Sequence, residues 1–108
     1  MEVVLDIGDG ILLLYESRTP DWSQFYLRCD GLDLHLGAEA ISRVRKRIQH
    51  PWRESEEGKS LFWLNFFETH CTLYMRRRGD GYAIHVRNRD GEYLFYREAQ
   101  GVCRVAQG

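Results

Sequence analysis

The residues in this chain best suited to chemistry are tyrosines, arginines and histidines that recur every second position. Thr72, Tyr74 and Arg76 alternate with Cys71, Leu73 and Met75, and Ala83, His85 and Arg87 alternate with Tyr82, Ile84 and Val86. Alternation with period two places one set of a strand on the core and the other on the solvent face. Tyr26 and Arg28, with His35, repeat the theme nearer the N-terminus. Rings and guanidinium groups interleaved on a wet sheet are what a single-stranded nucleic acid requires, because bases stack on rings and arginines neutralise phosphates. The structural alternative is that any sheet facing water carries polar and tyrosine side chains. Arg77 and Arg78 extend the set to the tip of a hairpin, where they would hold phosphate or an acidic loop, or simply solvate a strand end and guard it against edge pairing.

A second group is aromatic. Leu61 to Phe67 reads L-F-W-L-N-F-F. A run without alternation is buried on both faces or packs against a partner. Phe62, Trp63, Phe66 and Phe67, together with Tyr93 and Tyr96, are therefore expected at a protein interface, either with a second protein or as a homodimer. Packing inside a two-layer fold is the competing explanation.

Hydrolytic, metal and cofactor chemistry have little footing. His35, His50, His70 and His85 show neither i, i+4 nor H-x-H spacing, and Cys29, Cys71 and Cys103 form no C-x-x-C pair. Metal ligands must converge, so no metal is expected. Nucleophile-elbow, zinc-protease, phosphate-loop and dinucleotide signatures are all missing. Cys71 paired with His85 or His35 stays as a second alternative, an enzyme with a thiol or imidazole at its centre. No cofactor is expected.

The elements that must position these groups are punctuated by Asp-Gly. Asp9-Gly10, Asp30-Gly31, Asp80-Gly81 and Asp90-Gly91 each separate two apolar, β-prone runs, the strongest short-range hairpin signal. Strands are expected over Val3 to Ile7, Ile11 to Glu16, Gln24 to Cys29 and Leu32 to Leu36. Three more follow Leu61 to Phe67, over Cys71 to Arg76, Tyr82 to Arg87 and Glu92 to Arg97. Between the halves, Ile41, Val44 and Ile48 fall at helical spacing. The pattern predicts a helix over 38–49 with Gly37 as its N-cap, Glu39 in its first turn, basic residues at its end and Pro51 as its stop. Residues 50–59 read as a mobile polar loop and 99–108 as a frayed tail.

The expectation is therefore an α+β fold, in one domain spanning 1–108. A curved antiparallel sheet of about eight strands carries a single helix between a strand-rich 1–36 and a meander over 60–97. The step from Leu32 to Ile48, L-D-L-H-L-G-A-E-A-I-S-R-V-R-K-R-I, is similar in shape to the last strand and helix of PC4-like and Pur-type single-strand-binding domains, which also run four antiparallel strands into a helix. The resemblance is one of topology and carries no residue roles across.

Composition sets the remaining bounds. Hydrophobic residues at 44% and aromatics at 13% of 108 residues suit a folded core rather than disorder. The net charge of −1 hides an asymmetry. Residues 1–42 hold two basic against eight acidic side chains, and 43–108 hold thirteen against eight. A basic second half suits an anionic partner, although mutual neutralisation of the halves would explain it equally. The opening Met1 to Asp6 lacks the basic and apolar regions of a signal peptide, no run approaches a membrane span, and three unpaired cysteines suit a reducing cytoplasm. The leading functional expectation is a non-enzymatic, cytoplasmic interaction protein acting through a sheet face on another protein or on itself. Single-stranded nucleic-acid binding is the alternative.

Overall fold

Each half of the chain folds into its own antiparallel sheet. The structure, a computed structural model, describes residues 1–48, 60–100 and 104–105. The first sheet contains β1 (Glu2–Gly8), β2 (Ile11–Ser17), β3 (Ser23–Cys29) and β4 (Leu32–Glu39), and α1 (Ile41–Ile48) follows. The second contains β5 (Ser60–Phe66), β6 (Cys71–Arg78), β7 (Gly81–Arg87) and β8 (Tyr93–Gln100). A short β9 (Arg104–Val105) pairs with β1, giving sheet orders β4-β3-β2-β1-β9 and β5-β6-β7-β8. The α+β arrangement of eight main strands in two halves, with one helix between, is as the sequence predicts.

Turn chemistry explains the hairpins. At Asp9-Gly10 and Asp30-Gly31 both residues have positive φ, between 50° and 83°, as a two-residue hairpin turn of matching twist demands. The β6–β7 turn differs from expectation. Its two loop residues are Gly79 and Asp80, and of these Gly79 alone has positive φ, at 57°. Gly81 instead opens β7, where a side chain would strike the backbone: an added Cβ would lie 2.0 Å from the Ala99 carbonyl oxygen. Asn88 closes the longer β7–β8 loop, its Oδ1 accepting from the amides of Asp90 and Glu92 at 3.0 Å each.

The two sheets share one core. Phe25 and Leu27 from the first half meet Phe66, Leu73, Met75, Ile84 and Val86 from the second in a single apolar cluster that also takes Val44 and Ile48 of α1. The Phe25 and Phe66 rings lie 5.8 Å apart. Side chains lace two seams between the sheets. At one, Glu68 accepts from the Ala38 amide at 3.0 Å and Thr69 donates to the Leu36 carbonyl. At the other, Asp9 accepts from the Gln100 amide at 2.8 Å and Arg97 pairs with Asp30 at 3.3 Å. Those contacts satisfy edge groups that water or another chain would otherwise take.

Three boundaries need correction. The helix begins at Ile41, not at residue 38, because β4 continues through Glu39. Gly37, with φ of 125°, lies inside that strand, just after the bulge that sets Leu36 out of register. Glu39 is buried at the strand end and reaches Arg43 at 3.9 Å, so the first helical turn has no acid. The stretch from 99 is not all tail: Ala99 is buried and β8 runs to Gln100. The expected mobile loop at 50–59, with Trp52 and His50, lies outside the described residues, as does Cys103.

Candidate nucleic-acid interface

The outer face of the second sheet is organised by register. Trp63 on β5 is opposite Tyr74 on β6, Tyr74 is opposite His85 on β7, and His85 is opposite Tyr96 on β8. One row of four aromatic residues thus crosses the whole sheet. Cross-strand neighbours on one face come within side-chain contact, so register alone makes them a unit. The Tyr74 and His85 rings are 5.1 Å apart and the His85 and Tyr96 rings 6.5 Å apart, each pair within 9° of parallel.

Tyr93 joins by a bulge. Residues three apart on a regular strand face opposite sides, which would send Tyr93 and Tyr96 to different faces. A register shift between Val86 and Arg87 pairs Arg87 with Tyr93 instead. The Tyr93 ring then meets His85 edge-on at 5.2 Å and Tyr96 at 5.6 Å.

Arginines border this row. Arg76 lies over Tyr74 with its guanidinium 5.1 Å from the ring, and Arg47 of α1 lies over Trp63 at 5.2 Å. Arg87 sits 4.6 Å above Tyr93 and donates to its hydroxyl at 2.5 Å. Cation–π seating of this kind holds a flexible guanidinium in place without neutralising it. Arg78 pairs with Glu98 at 3.6 Å. Arg76, Arg78 and Arg87 together border a concavity of about 170 Å³ lined by Ala83, His85, Tyr93 and Tyr96.

His85 is the centre of the row and is only 5% exposed, although it faces away from the core. Its neighbours' rings cover it. Burial holds its imidazole below the ordinary histidine range, and the Arg87 and Arg76 charges push it further down. The ring is therefore neutral at pH 7 and serves as a stacking surface rather than as a cation.

No family model, curated protein or solved structure matches this chain.

The other expected site residues separate clearly. Tyr26, Arg28 and His35 do not join Tyr74 and its neighbours, because they lie on the first sheet, whose outer face points the opposite way. There Tyr26 meets His35 at 5.3 Å, Arg28 pairs with Asp33 at 3.1 Å, and Gln24 bonds the His35 ring at 2.6 Å. Of the interface residues, Trp63, Phe67, Tyr93 and Tyr96 are exposed, Phe67 at 72%. Phe66 is a correction: it is buried against Phe25 and belongs to the core, because the described part of β5 does alternate, with Leu64 and Phe66 inward. The Phe62 side chain lies outside the described residues. Arg77 on β6 donates to the Gly79 carbonyl at 3.3 Å, away from the concavity. Arg47 and Glu98 were not singled out from sequence; the only signal for Glu98 was its place two residues beyond Tyr96.

The two thiols among the described residues, Cys29 and Cys71, are both buried. Cys71 is buried, held at 2.9 Å from the Thr69 hydroxyl and 3.3 Å from the Leu36 carbonyl oxygen, and burial pushes its thiol up. Cys29 is likewise buried and raised. A thiol becomes reactive where its thiolate is stabilised and accessible, and neither condition holds here. His85 and His35, its suggested partners, sit on the outer faces of different sheets. No helix among the described residues is long and apolar enough to cross a membrane.

Proposed function

We propose that this protein binds single-stranded nucleic acid across the outer face of its second sheet. The observation that carries the reading is the single register row Trp63–Tyr74–His85–Tyr96, bordered by Arg47, Arg76 and Arg87. His85 is already sandwiched between Tyr74 and Tyr96, so a ligand meets the edges of a preformed stack, and at the two ends of the register row Trp63 is 42% and Tyr96 48% exposed. Bases extend the stack at those ends, while the arginines take the phosphates beside it. Pre-stacking lowers the ordering cost of binding, since the rings need not be immobilised by the ligand. Binding without catalysis accords with the buried, raised thiols, and free thiols accord with a reducing cytoplasm.

The test is fluorescence anisotropy of a labelled mixed-sequence oligodeoxynucleotide over a range of salt. With three or four of Arg47, Arg76, Arg78 and Arg87 engaged, log K falls against log salt with a slope of about −2 to −3. No binding at low salt overturns the proposal.

One observation favours a second reading. Phe67, at 72% exposure just past the end of edge strand β5, lines one depression with Trp63, an apolar pair suited to a protein partner or homodimer. A protein silent toward the oligonucleotide, whose mass rises with concentration and reverts in Phe67→Glu, selects that reading instead.

A further inference from the structure

We infer that the concavity bordered by Arg76, Arg78 and Arg87 is a phosphomonoester site that receives the phosphorylated end of a bound strand. This rests on the nucleic-acid reading of the same face and sharpens it.

Register sets the floor of the concavity. In the register row next to the aromatic one, Arg76 is opposite Ala83 and Ala83 is opposite Glu98. Ala83 offers one methyl group where its neighbours offer long side chains, so the face dips there. The dip measures about 170 Å³. Its rim brings three guanidinium groups together, two held by rings and the third by Glu98.

Charge then selects the ligand. An internal phosphodiester brings one negative charge. A terminal phosphomonoester brings about −1.5 to −2 near neutral pH and three acceptor oxygens. Three arginines around one small depression are matched by the second and under-neutralised by the first. Arginine's planar fork suits such an oxyanion. The existing Arg78–Glu98 pair, at 3.6 Å and about half exposed on both sides, is weak enough to be exchanged for a phosphate. The neutral His85 ring beside the floor is the second indicator. Arg87 and Arg76 both act on it as positive charges, so the potential at the floor is positive even before a ligand arrives. Facing His85 from the neighbouring strands are Tyr74 and Arg76 of β6, Arg87 of β7, and Tyr93 and Tyr96 of β8. Glu98 of β8, opposite Ala83 and paired with Arg78, is a carboxylate beside the floor, but one acid against three guanidinium groups does not reverse that sign.

The decisive comparison uses one oligodeoxynucleotide in three forms: 5′-phosphorylated, 3′-phosphorylated and with both ends hydroxyl. One phosphorylated form binds about tenfold more tightly than the unphosphorylated form, the scale of one added charge-assisted contact. Arg78→Ala erases that preference, so that the phosphorylated and unphosphorylated forms bind within about twofold of one another, its thermal melt showing the fold intact. Inorganic phosphate alone, followed by the amide shifts of Ala83 and His85, separates a free-phosphate site from a strand-end site. Shifts with inorganic phosphate but no end preference overturn the strand-end assignment. Equal binding of all three forms, with no phosphate shifts, overturns the monoester site and leaves the nucleic-acid reading standing. No binding of any form removes both.

Discussion

The two outer faces carry the same cross-strand pair and treat it differently. On the first sheet Tyr26 is beside His35, and on the second Tyr74 is beside His85, at nearly equal ring separations of 5.3 and 5.1 Å. In each sheet an arginine follows the tyrosine by two residues. On the first face the arginine and the histidine each have an answering partner: Arg28 has Asp33, and His35 has Gln24. The rings there are tilted by 45° and end in that pair. On the second face the pair is one segment of a row that continues to Trp63 and Tyr96, and Arg76 and Arg87 are seated on rings rather than on carboxylates. Among the described residues neither Arg76 nor Arg87 has an ion-pair partner. The lesson is that a Tyr–His–Arg motif on a strand has no fixed meaning. The partner opposite each residue decides whether the face is closed upon itself or open to an anion.

The largest expected effect comes from removing one ring from each face. Tyr74→Ala takes out a member of the row and the seat of Arg76, and weakens oligonucleotide binding by about 1–3 kcal/mol. Tyr26→Ala, its counterpart, leaves affinity unchanged. Anisotropy titrations of both variants at one salt concentration give the answer. Equal losses would mean that the ligand tracks both sheets, and the distinction between the faces would collapse.

Much of this contrast was legible in the chain, and the remainder has identifiable causes. Strict alternation over Cys71–Arg76 and Tyr82–Arg87 sent Tyr74, Arg76, His85 and Arg87 to one face, because a strand leaves no other choice. Asp-Gly pairs announced the hairpins. Hidden from the sequence were the departures from period two. The bulge at Leu94 turned Tyr93 outward, and the one at Leu36 carried β4 on to Glu39 and delayed the helix. Phe66 and Phe67 are adjacent and chemically identical, so only the register of β5 on β6 tells the core ring from the exposed one. Sheet membership was the deepest omission. Nothing local in Tyr26 or His35 says that their face points away from that of Tyr74.

A middle-sized effect sharpens the contrast through pH. Because His85 is buried under rings and flanked by Arg76 and Arg87, its folded imidazole titrates lower than in the unfolded chain. The unfolded histidine takes up a proton near pH 6.5. Below that pH the unfolded state binds more protons than the native state, so stability falls as pH drops from about 6.5 toward the depressed folded value, and it is fully present above. Thermal melts between pH 5 and 8 should show this decline in the wild type and a flatter profile in His85→Phe, which keeps a ring in the row but has nothing to titrate. An unaltered profile in the variant would show that His85 is not held neutral by its surroundings.

The smallest effect asks whether opening the first face is enough to make it a binding surface. Asp33→Asn removes the carboxylate that occupies Arg28. Both side chains are nearly half exposed, so the lost pair costs no more than about 0.5 kcal/mol of stability. Arg28 is then unneutralised, as Arg76 is on the other sheet. If a free arginine beside a Tyr–His pair were sufficient, Tyr74→Ala combined with Asp33→Asn would regain affinity relative to Tyr74→Ala alone. We expect no regain. The register row through Tyr26 runs from His35 to Leu14 on β2 and Val3 on β1, so it offers aliphatic side chains where the second sheet offers Trp63 and Tyr96. Regained affinity would place the selectivity in single charges. Its absence places it in the continuity of the ring row, a property of four strands in register that no single substitution on the other face can supply.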